Sequence, residues 1–389
     1  MIKKRIFKIN GSLQVKNNTF YAVFRDKNGK QKWRTLGIPA TEKNRRKAEA
    51  ALHKLLVEYE TNPNILDKIE VADYIQKWLD SVKNTLDTVT YEGYKQYAEK
   101  HIIPYFSQKK MLLRDVTISD IEGYYNAKAV NGRLDGKGGL SLRTIKLHGT
   151  VLSLVLKRAV YERLISDNPC EYAKYPTAIA KKKKEPTFYT VKQCNTLLDC
   201  IKGTPLYNMV YITFMYGLRR SELMGLKWDA VDFDNDTIEI KRTAVLAQSI
   251  VVRKAKTKNL TSKRTYPLLP EIKTILKKML EEQEANRKLF GNCYTDTGHI
   301  FVKSDGTTYY PSYPTHRLTA VLEKYQLPYI CWHGLRHSAA SMLIERGWHM
   351  KDISDWLGHS DIGTTMNIYG HISMEHKKEL GDSLTGLLA

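Results

Sequence analysis

The chain has 389 residues, 42% of them hydrophobic, which is enough for two or three domains with their own cores. It has no run of eighteen apolar residues and no signal-peptide-like N-terminus, so we expect a cytoplasmic protein without a membrane-spanning helix. A net charge of +21 favours a polyanionic partner, and nucleic acid fits better than a membrane surface because no basic amphipathic helix dominates.

The five cysteines are scattered along the chain, and none of them forms a CxxC pair. This pattern argues against a zinc ribbon and against a disulfide framework. It predicts free thiols in a reducing compartment.

The first module, residues 1–66, carries fifteen Lys or Arg against five Asp or Glu, so it holds nearly half of the net charge. Short runs with partial apolar alternation predict three strands, at 11–15, 19–24 and 31–37. The asparagine-containing pairs at 17–18 and 28–29 indicate tight turns between them. Thr41 is a candidate N-cap for a helix that continues to Tyr59. The module is therefore predicted to be a small domain of three strands and one helix.

The exposed face of this sheet is a candidate DNA-binding surface. It could lie in a DNA groove or be a solvated basic face, and the segment by itself leaves both interpretations open. The basic residues near this face, which are the candidate DNA contacts, are Lys16, Arg25, Lys30, Lys32 and Arg34.

Residues 67–175 have helical periodicity and predict an all-α domain of four helices. The apolar spacing gives these helices at 71–82, around 91–102, at 119–129 and, with Ser141 as a cap, at 141–164. Residues 176–187 follow as a proline-bounded basic linker, which is typical of a solvated tether and would also lie along any DNA held between the flanking domains. The four consecutive lysines of this linker are Lys181, Lys182, Lys183 and Lys184.

Residues 188–389 mix helices and strands, and they predict an α+β domain, mainly α-helical, with a C-terminal tail. Thr190 caps the first predicted helix. Further helices are predicted to begin near Leu206, Glu271, Pro314, Gly334 and Met350, and strands are predicted at 237–242, 249–255 and 264–269.

Two arginine-containing motifs in this domain fit the oxygens of a phosphate, because planar guanidinium groups bind such oxygens in pairs. Arg219, in the motif GLRRSE, lies three residues before Glu222, so on a helix the carboxylate can fix the guanidinium. Arg220 is rotated by about 100° and is not the candidate. A structural ion pair is the competing interpretation of Arg219. Arg336, in the motif HGLRH, is the second candidate.

Two histidines accompany the second arginine. His333 shares a helical face with Arg336, and His337 follows His333 by four residues. Histidines at that spacing can hold zinc, but the glutamate of an HExxH motif is missing and no third ligand is evident. We therefore expect no metal.

The motif LGH, which ends at His359, and Tyr369 ten residues later complete the set. A phenol at its ordinary pKa of about 10 is a weak nucleophile, so Tyr369 would need cationic surroundings that favour the phenolate. Arginines that neutralise a phosphate and a tyrosine that attacks its phosphorus point to the cutting and rejoining of nucleic acid without a metal.

The motifs GLRRSE, HGLR and LGH and the residue Tyr369, in this order, resemble the signature of the tyrosine recombinase (phage integrase) family. The resemblance covers about residues 186–380. The helical part, 67–168, resembles the core-binding domain of the family. The basic N-terminal module resembles the arm-binding domain of integrases from conjugative transposons and temperate phages.

This resemblance implies a site-specific DNA recombinase that inserts and excises a mobile element. It would work on the nucleoid as a homotetramer, bound to double-stranded DNA at attachment sites, and exchange strands through a Holliday junction. An accessory excision factor would fit the same scheme. The phosphodiester energy is conserved in the transesterification, so no cofactor is expected.

The resemblance also implies the roles of individual residues. Tyr369 would attack the scissile phosphate and form a 3′-phosphotyrosyl linkage, releasing a 5′-hydroxyl. Arg219 and Arg336 would hold the non-bridging oxygens, and Glu222 would support the first arginine rather than react.

Three further positions would assist the reaction. His333 and His359 would add hydrogen-bond donors or assist proton transfer. A lysine on a β-hairpin would act as the general acid. Lys256 fits this position best, with Lys254 and Lys258 as alternatives.

Two other functions are open at this point. A type IB topoisomerase shares the chemistry but relaxes a single duplex, and the basic N-terminal module and the tail after Tyr369 favour the recombinase. That tail, 374–388, would dock on a neighbouring subunit or pack on its own domain. A non-enzymatic DNA-binding regulator would account for the charge but not for the arginine, histidine and tyrosine set.

Overall fold

The computed structural model describes residues 10–25, 29–61, 68–180, 187–247, 250–254, 264–358 and 363. The chain divides into two compact units, Met1–Lys182 and Lys183–Ala389. No helix in these described ranges combines the length and the apolar character that a bilayer crossing requires.

The first unit begins with an antiparallel sheet of three strands in the order β1-β2-β3. These are β1 (Gly11–Lys16), β2 (Thr19–Arg25) and β3 (Gln31–Pro39). Asn17 and Asn18 have φ values of 50° and 55° and form the turn between β1 and β2, because asparagine tolerates the left-handed conformation that a two-residue hairpin requires. The three predicted strands are confirmed, and β3 extends two residues beyond its predicted end.

One face of this sheet is covered by the helix α1 (Arg45–Thr61). Ala22 and Phe24 of β2 are buried together with Tyr59 of α1, and the leucines of α1 pack against them. The predicted capping by Thr41 is wrong. Thr41 precedes a short 3₁₀ turn, Glu42–Asn44, and its side chain makes no capping hydrogen bond, so α1 starts later than expected.

The helical domain of the same unit contains α2 (Val71–Val82), α3 (Thr88–Tyr97), α4 (Ile103–Gln108), α5 (Ile118–Asn131) and α6 (Leu142–Tyr161). A π-helical turn, Ala98–Ile102, joins α3 to α4, so the second predicted helix is one helical stretch with a local distortion. Ser141 caps α6 as predicted, accepting a hydrogen bond of 3.2 Å from the backbone N–H of Thr144. The helix ends at Tyr161 rather than at Leu164, because Arg163 adopts a left-handed φ of 58°.

The second unit is built mainly from helices. They are α7 (Val191–Ile201), α8 (Pro205–Tyr216), α9 (Arg220–Leu223), α10 (Pro270–Phe290), α11 (Tyr313–Lys324), α12 (Trp332–Glu345) and α13 (Met350–Leu357). Thr190 caps α7 as predicted and exchanges hydrogen bonds with Gln193 in a capping box. The apolar helix α8 packs against α12 in the core.

The strands of this unit are β4 (Val231–Asp232), β5 (Thr237–Ile240), β6 (Thr243–Ala247), β7 (Ile250–Lys254) and β8 (Arg264–Pro267). In the described residues they form two sheets, β4-β5-β8 and the hairpin β6-β7. Strand β7 therefore pairs with β6, whereas β8 pairs with β5. The two strands that flank the lysine-rich residues 255–263 lie in different sheets.

Candidate active site

Gly217 determines how the chain enters the candidate site. It has a φ of 60° and its N–H donates a hydrogen bond of 2.8 Å to the carbonyl of Thr213, which ends α8. A Cβ at this position would lie 2.2 Å from Cδ2 of Leu357 in α13. A glycine is therefore required both for the left-handed conformation and for the close approach of α13.

Arg219 follows at the N-cap of α9 and donates two hydrogen bonds to the carboxylate of Glu222. Its backbone N–H donates to Oε2 of Glu222 at 2.9 Å, and its Nη1 donates to Oε1 at 2.7 Å. The expected contact between the two side chains is thus present, although Arg219 precedes the helix rather than lying in it. Arg220 points elsewhere and donates from Nη1 to the hydroxyl of Thr315 at 2.9 Å.

Arg336 reaches the same carboxylate from the helix α12. Its side chain is 1% exposed, and its Nη1 donates to the carbonyl of Gly217 at 2.7 Å and lies 4.0 Å from Oε2 of Glu222. The fold thus brings Arg219 and Arg336, which are far apart in the sequence, to the two sides of one buried carboxyl group.

A third arginine, Arg264 at the start of β8, binds Glu222 with both ends of its guanidinium group. Nη1 lies 3.2 Å from Oε1, and Nη2 lies 3.0 Å from Oε2. The sequence reasoning treated this residue only as part of a strand. A signal was available, because Arg264 occupies the same face of the strand as the buried residues Tyr266 and Leu268, and a charge on a buried face requires a partner.

Glu222 is the buried counter-charge of the cluster. Burial by itself would raise the pKa of Glu222, but the hydrogen bonds and charge of Arg264, followed by those of Arg219, outweigh it and hold the pKa below its usual range. Burial lowers the pKa of Arg336 to about 9, and the positive charge of Arg219 acts in the same direction. Three guanidinium groups therefore surround one buried carboxylate. The cluster suits an anion.

His333 and His337 lie one turn apart on α12, and their rings meet edge to face at a centroid distance of 4.6 Å. His333 is exposed by surface area, yet the protein atoms around it desolvate it enough to lower its pKa, as do the charges of Arg336 and Arg219. Burial, followed by the neighbouring His333 and Arg336, lowers the pKa of His337 to about 4. Both shifts favour the neutral form of the imidazole.

The arginine cluster also holds the end of α13. Gly358 ends this helix with a φ of 66°, and its carbonyl accepts a hydrogen bond of 2.8 Å from Nη2 of Arg219. The next residue in the chain, His359, lies outside the described residues, as do Tyr369, Lys256 and the tail 374–388.

The candidate general acid belongs to the segment between β7 and β8. Lys254, one of the alternatives to Lys256, is the last residue of β7 and pairs with Thr243 of β6. Lys258 lies outside the described residues with Lys256. The choice among these lysines stays a prediction.

The candidate DNA contacts of the N-terminal sheet divide between its two faces. The alternation of the paired strands puts Lys16 and Arg25 on the face that carries the half-exposed Trp33. Lys32 and Arg34 pair with Phe24 and Ala22 and belong to the face that α1 covers. Lys30 precedes β3, and the linker residues Lys181, Lys182, Lys183 and Lys184 lie outside the described residues.

The described geometry can bind a tetrahedral oxyanion. Guanidinium groups of fixed orientation, backed by a buried carboxylate, stabilise negative charge that develops on a phosphate without any rearrangement during the reaction. The fold and this cluster together suit the class of proteins that bind a phosphate group and stabilise its transfer.

Comparison with known proteins agrees with this class. The chain matches the Phage integrase family over residues 187–376 and the Phage integrase, N-terminal SAM-like domain over residues 71–129. It is 27% identical over 400 residues to a tyrosine recombinase XerC-like protein of Caldanaerobacter subterraneus. The alignment covers 96% of this chain and 98% of that protein.

Solved structures of integrases share the fold. The Tn1549 transposon integrase in complex with a circular intermediate DNA has a TM-score of 0.63 at 19% identity, over 81% of this chain and all of that chain. A lambda integrase tetramer bound to a Holliday junction has a TM-score of 0.56 at 15% identity, over 90% of this chain and 95% of that one.

The chain belongs to the phage integrase family of tyrosine recombinases. It is a tyrosine-type DNA strand transferase, which cleaves and rejoins DNA strands in site-specific recombination. The family assignment decides against the topoisomerase and against the non-enzymatic regulator, both of which the sequence had left open.

Proposed function

We propose that this chain is the integrase of a mobile element and that Tyr369 is its nucleophile. The phenolate oxygen of Tyr369 attacks the scissile phosphorus and forms a 3′-phosphotyrosyl bond, while the bond from phosphorus to the 5′-oxygen breaks. The 5′-hydroxyl of a partner strand then attacks the phosphotyrosine and restores a phosphodiester. One ester replaces another in each step, so the bond energy is conserved.

The observation that carries this proposal is the convergence of Arg219 and Arg336 on Glu222. In the proposal each arginine takes one non-bridging oxygen of the scissile phosphate. The negative charge that develops during the attack is then neutralised by groups already in position. Glu222 keeps the arginines in place and does not react.

The remaining roles concern protons and hydrogen bonds. Lys256, or in its place Lys254 or Lys258, protonates the leaving 5′-oxygen. His333 and His359 donate hydrogen bonds to the phosphate or assist proton transfer from Tyr369. The lowered pKa of His333 supports a part in proton transfer, since the shift favours the neutral imidazole, which can accept a proton.

Recombination requires more than one copy of the chain. Two duplexes have four strands to cut and one tyrosine cuts one strand, so we propose a homotetramer that exchanges strands in pairs through a Holliday junction. Residues 67–175 and 188–389 hold the core attachment site, with the linker 176–187 along the DNA. Residues 1–66 bind arm-type sites, and an accessory excision factor sets the direction. This activity would keep the protein on the nucleoid.

Covalent trapping tests the nucleophile. The probe is a duplex from the ends of the element that encodes the chain, nicked so that the short strand carrying the 5′-hydroxyl diffuses away after cleavage. Without that hydroxyl the reverse reaction stops, and the wild-type protein should accumulate an SDS-resistant complex. Tyr369→Phe should bind the DNA but trap none.

The matched control is Tyr329→Phe, which removes the hydroxyl of an exposed tyrosine. It should trap as much DNA as the wild type. The proposal is wrong if the wild type traps no DNA, or if Tyr369→Phe traps as much as the wild type does.

A further inference from the structure

We infer that Arg264 is a positioning residue of the active site, which holds the carboxylate of Glu222 so that Arg219 and Arg336 keep the orientation that a phosphate requires. The inference rests on the proposed function, because it assumes that these two arginines bind the scissile phosphate. Arg264 itself does not contact the DNA in this scheme.

The contacts of Glu222 are unequal. Arg264 binds both carboxylate oxygens, at 3.2 and 3.0 Å, in the bidentate geometry of a strong arginine–carboxylate pair. Arg219 binds one oxygen through its side chain, and Arg336 lies at 4.0 Å, beyond hydrogen-bond distance from the carboxylate. Arg264 is thus the principal partner of the carboxylate. Without Arg264, the buried carboxylate would pair more closely with Arg219 and Arg336, which are the two arginines that bind the phosphate in the proposed mechanism.

Arg264 is itself held in place from two sides. Its Nε donates to the hydroxyl of Tyr266, and its guanidinium carbon lies 5.3 Å from the centre of that ring. The hydroxyl of Tyr266 donates to the carbonyl of Trp356 in α13. Arg264 is also so close to Gly358 that a Cβ there would lie 2.8 Å from its Nη1. The side chain is 10% exposed and therefore has little freedom to move.

This position connects three parts of the catalytic machinery. Glu222 lies on α9 beside Arg219, Gly358 is the residue before His359, and Arg264 is the first strand residue after the segment that contains Lys256. The side chain of Arg264 therefore lies beside the chain neighbours of Arg219 and His359, and its backbone follows the segment of Lys256. Its loss would disturb the geometry without removing a group that touches the phosphate.

The charge of Arg264 has a consequence that can be measured. The groups that face Glu222 are Arg219 at the N-cap of α9, Arg336 on α12, and Arg264 with Tyr266 on β8. Burial favours the protonated form of Glu222, and Arg264 is the largest influence that opposes it. Removing Arg264 should therefore raise the pKa of Glu222, and a protonated Glu222 holds Arg219 less firmly because the attraction between opposite charges is lost.

The test compares single-turnover cleavage of the nicked duplex across pH for wild type, Arg264→Gln and Arg264→Lys. In Arg264→Gln we expect cleavage to fall by up to about a hundredfold, as for small misplacements of catalytic groups. We also expect the acidic limb of the pH profile to move upward by about 1–3 pH units, because an opposite charge has been removed. Arg264→Lys keeps the positive charge, so both the loss of cleavage and the shift of the acidic limb should be smaller than in Arg264→Gln.

Two further variants separate positioning from general structural damage. Arg242→Gln removes an arginine that also forms a bidentate pair, with Asp229, and should keep the wild-type rate and pH profile. The double variant Glu222→Gln/Arg264→Gln has no carboxylate at position 222 to titrate. The acidic limb of its pH profile should therefore not show the upward shift that we expect for Arg264→Gln. Thermal unfolding and gel shifts verify that each variant folds and binds the probe.

The possible outcomes distinguish the two proposals. An Arg264→Gln protein with the wild-type rate and pH profile, or with a rate lowered equally at every pH, would overturn the positioning role. Failure of the wild type to form a covalent complex would instead overturn the proposed function, and the role of Arg264 would fall with it.

Discussion

Glu222 shows how a single buried carboxylate can organise a cationic site. An isolated charge in a protein interior is unfavourable, and Glu222 is tolerated because arginines surround it. Arg336, almost fully buried, is stabilised in turn by the carboxylate and by the carbonyl of Gly217. In the proposed mechanism the cluster therefore holds the arginines in position before a phosphate binds, which is the condition for electrostatic catalysis.

The neighbouring arginines 219 and 220 allow a matched test of this geometry. Arg219→Lys keeps the charge but loses the planar fork, so we expect single-turnover cleavage to fall by about a hundredfold to a thousandfold. In the wild type the guanidinium of Arg220 binds Thr315 and not Glu222, so the cleavage rate of Arg220→Lys should stay within a few-fold of the wild-type rate. Gel shifts would show whether DNA binding is retained. Equal losses in the two variants would contradict the assignment of Arg219.

At the scale of secondary structure, the helix α6 carries a histidine that the catalytic chemistry does not use. His148 is fully buried, and its Nδ1 lies 2.9 Å from the hydroxyl of Tyr124 in α5. Burial, followed by the nearby His101 and Lys128, lowers the pKa of His148 to about 3. The helical domain therefore folds with a neutral imidazole in its core.

This burial predicts a pH dependence of stability. Between the unfolded pKa of 6.5 and the folded pKa of about 3, the unfolded chain binds the extra proton, so stability must fall as the pH falls. The loss should reach about 2 kcal/mol between pH 7 and pH 5. Hydrogen exchange of the α6 amides in the full chain measures it.

The control for this prediction is His148→Gln, which removes the titrating group and retains a polar side chain. Its free energy of opening should be lower at pH 7 but should change less with pH than that of the wild type. The same pH dependence in both proteins would show that His148 is not the group responsible.

At the scale of the whole molecule, the dominant property is the net charge of +21. It is concentrated in residues 1–66, whose sheet has one face covered by α1 and another that carries Trp33, Lys16 and Arg25. A DNA backbone bound by such charges releases counterions, so affinity depends steeply on salt.

We therefore expect the affinity of the full chain for attachment-site DNA to fall by about 10³–10⁵ between about 50 and 200 mM salt. The double variant Lys16→Gln/Arg25→Gln should reduce the slope of log affinity against log salt by about two, one for each lost phosphate contact. Fluorescence anisotropy at several salt concentrations measures both.

A second pair of basic residues provides the comparison. Lys43 and Lys47 are exposed and lie in the 3₁₀ turn and in α1, outside the sheet. Lys43→Gln/Lys47→Gln changes the net charge by the same amount and should leave the slope unchanged. Equal effects of the two double variants would mean that the charge acts as a diffuse field and not through the sheet face.

The sequence by itself determined much of the local structure, and it supplied the candidate reacting residues, whose roles stay predictions. Apolar periodicity and capping residues such as Ser141 and Thr190 act over a few positions, so they located most helices and strands. The motif around Arg219 and Glu222 likewise predicted a contact between close neighbours in the chain. The π-helical turn at Ala98–Ile102 escaped this reasoning, because it leaves the overall helical spacing almost unchanged.

Only the tertiary structure decided which distant residues meet. It put Arg336 beside Glu222, added Arg264 as a third guanidinium, and paired β8 with β5 instead of β7. Such contacts depend on the packing of elements that are distant in the sequence, and the spacing of residues along the chain does not predict that packing. The sequence supplied the candidate groups, and the fold decided that Arg219, Arg264 and Arg336 surround the buried Glu222.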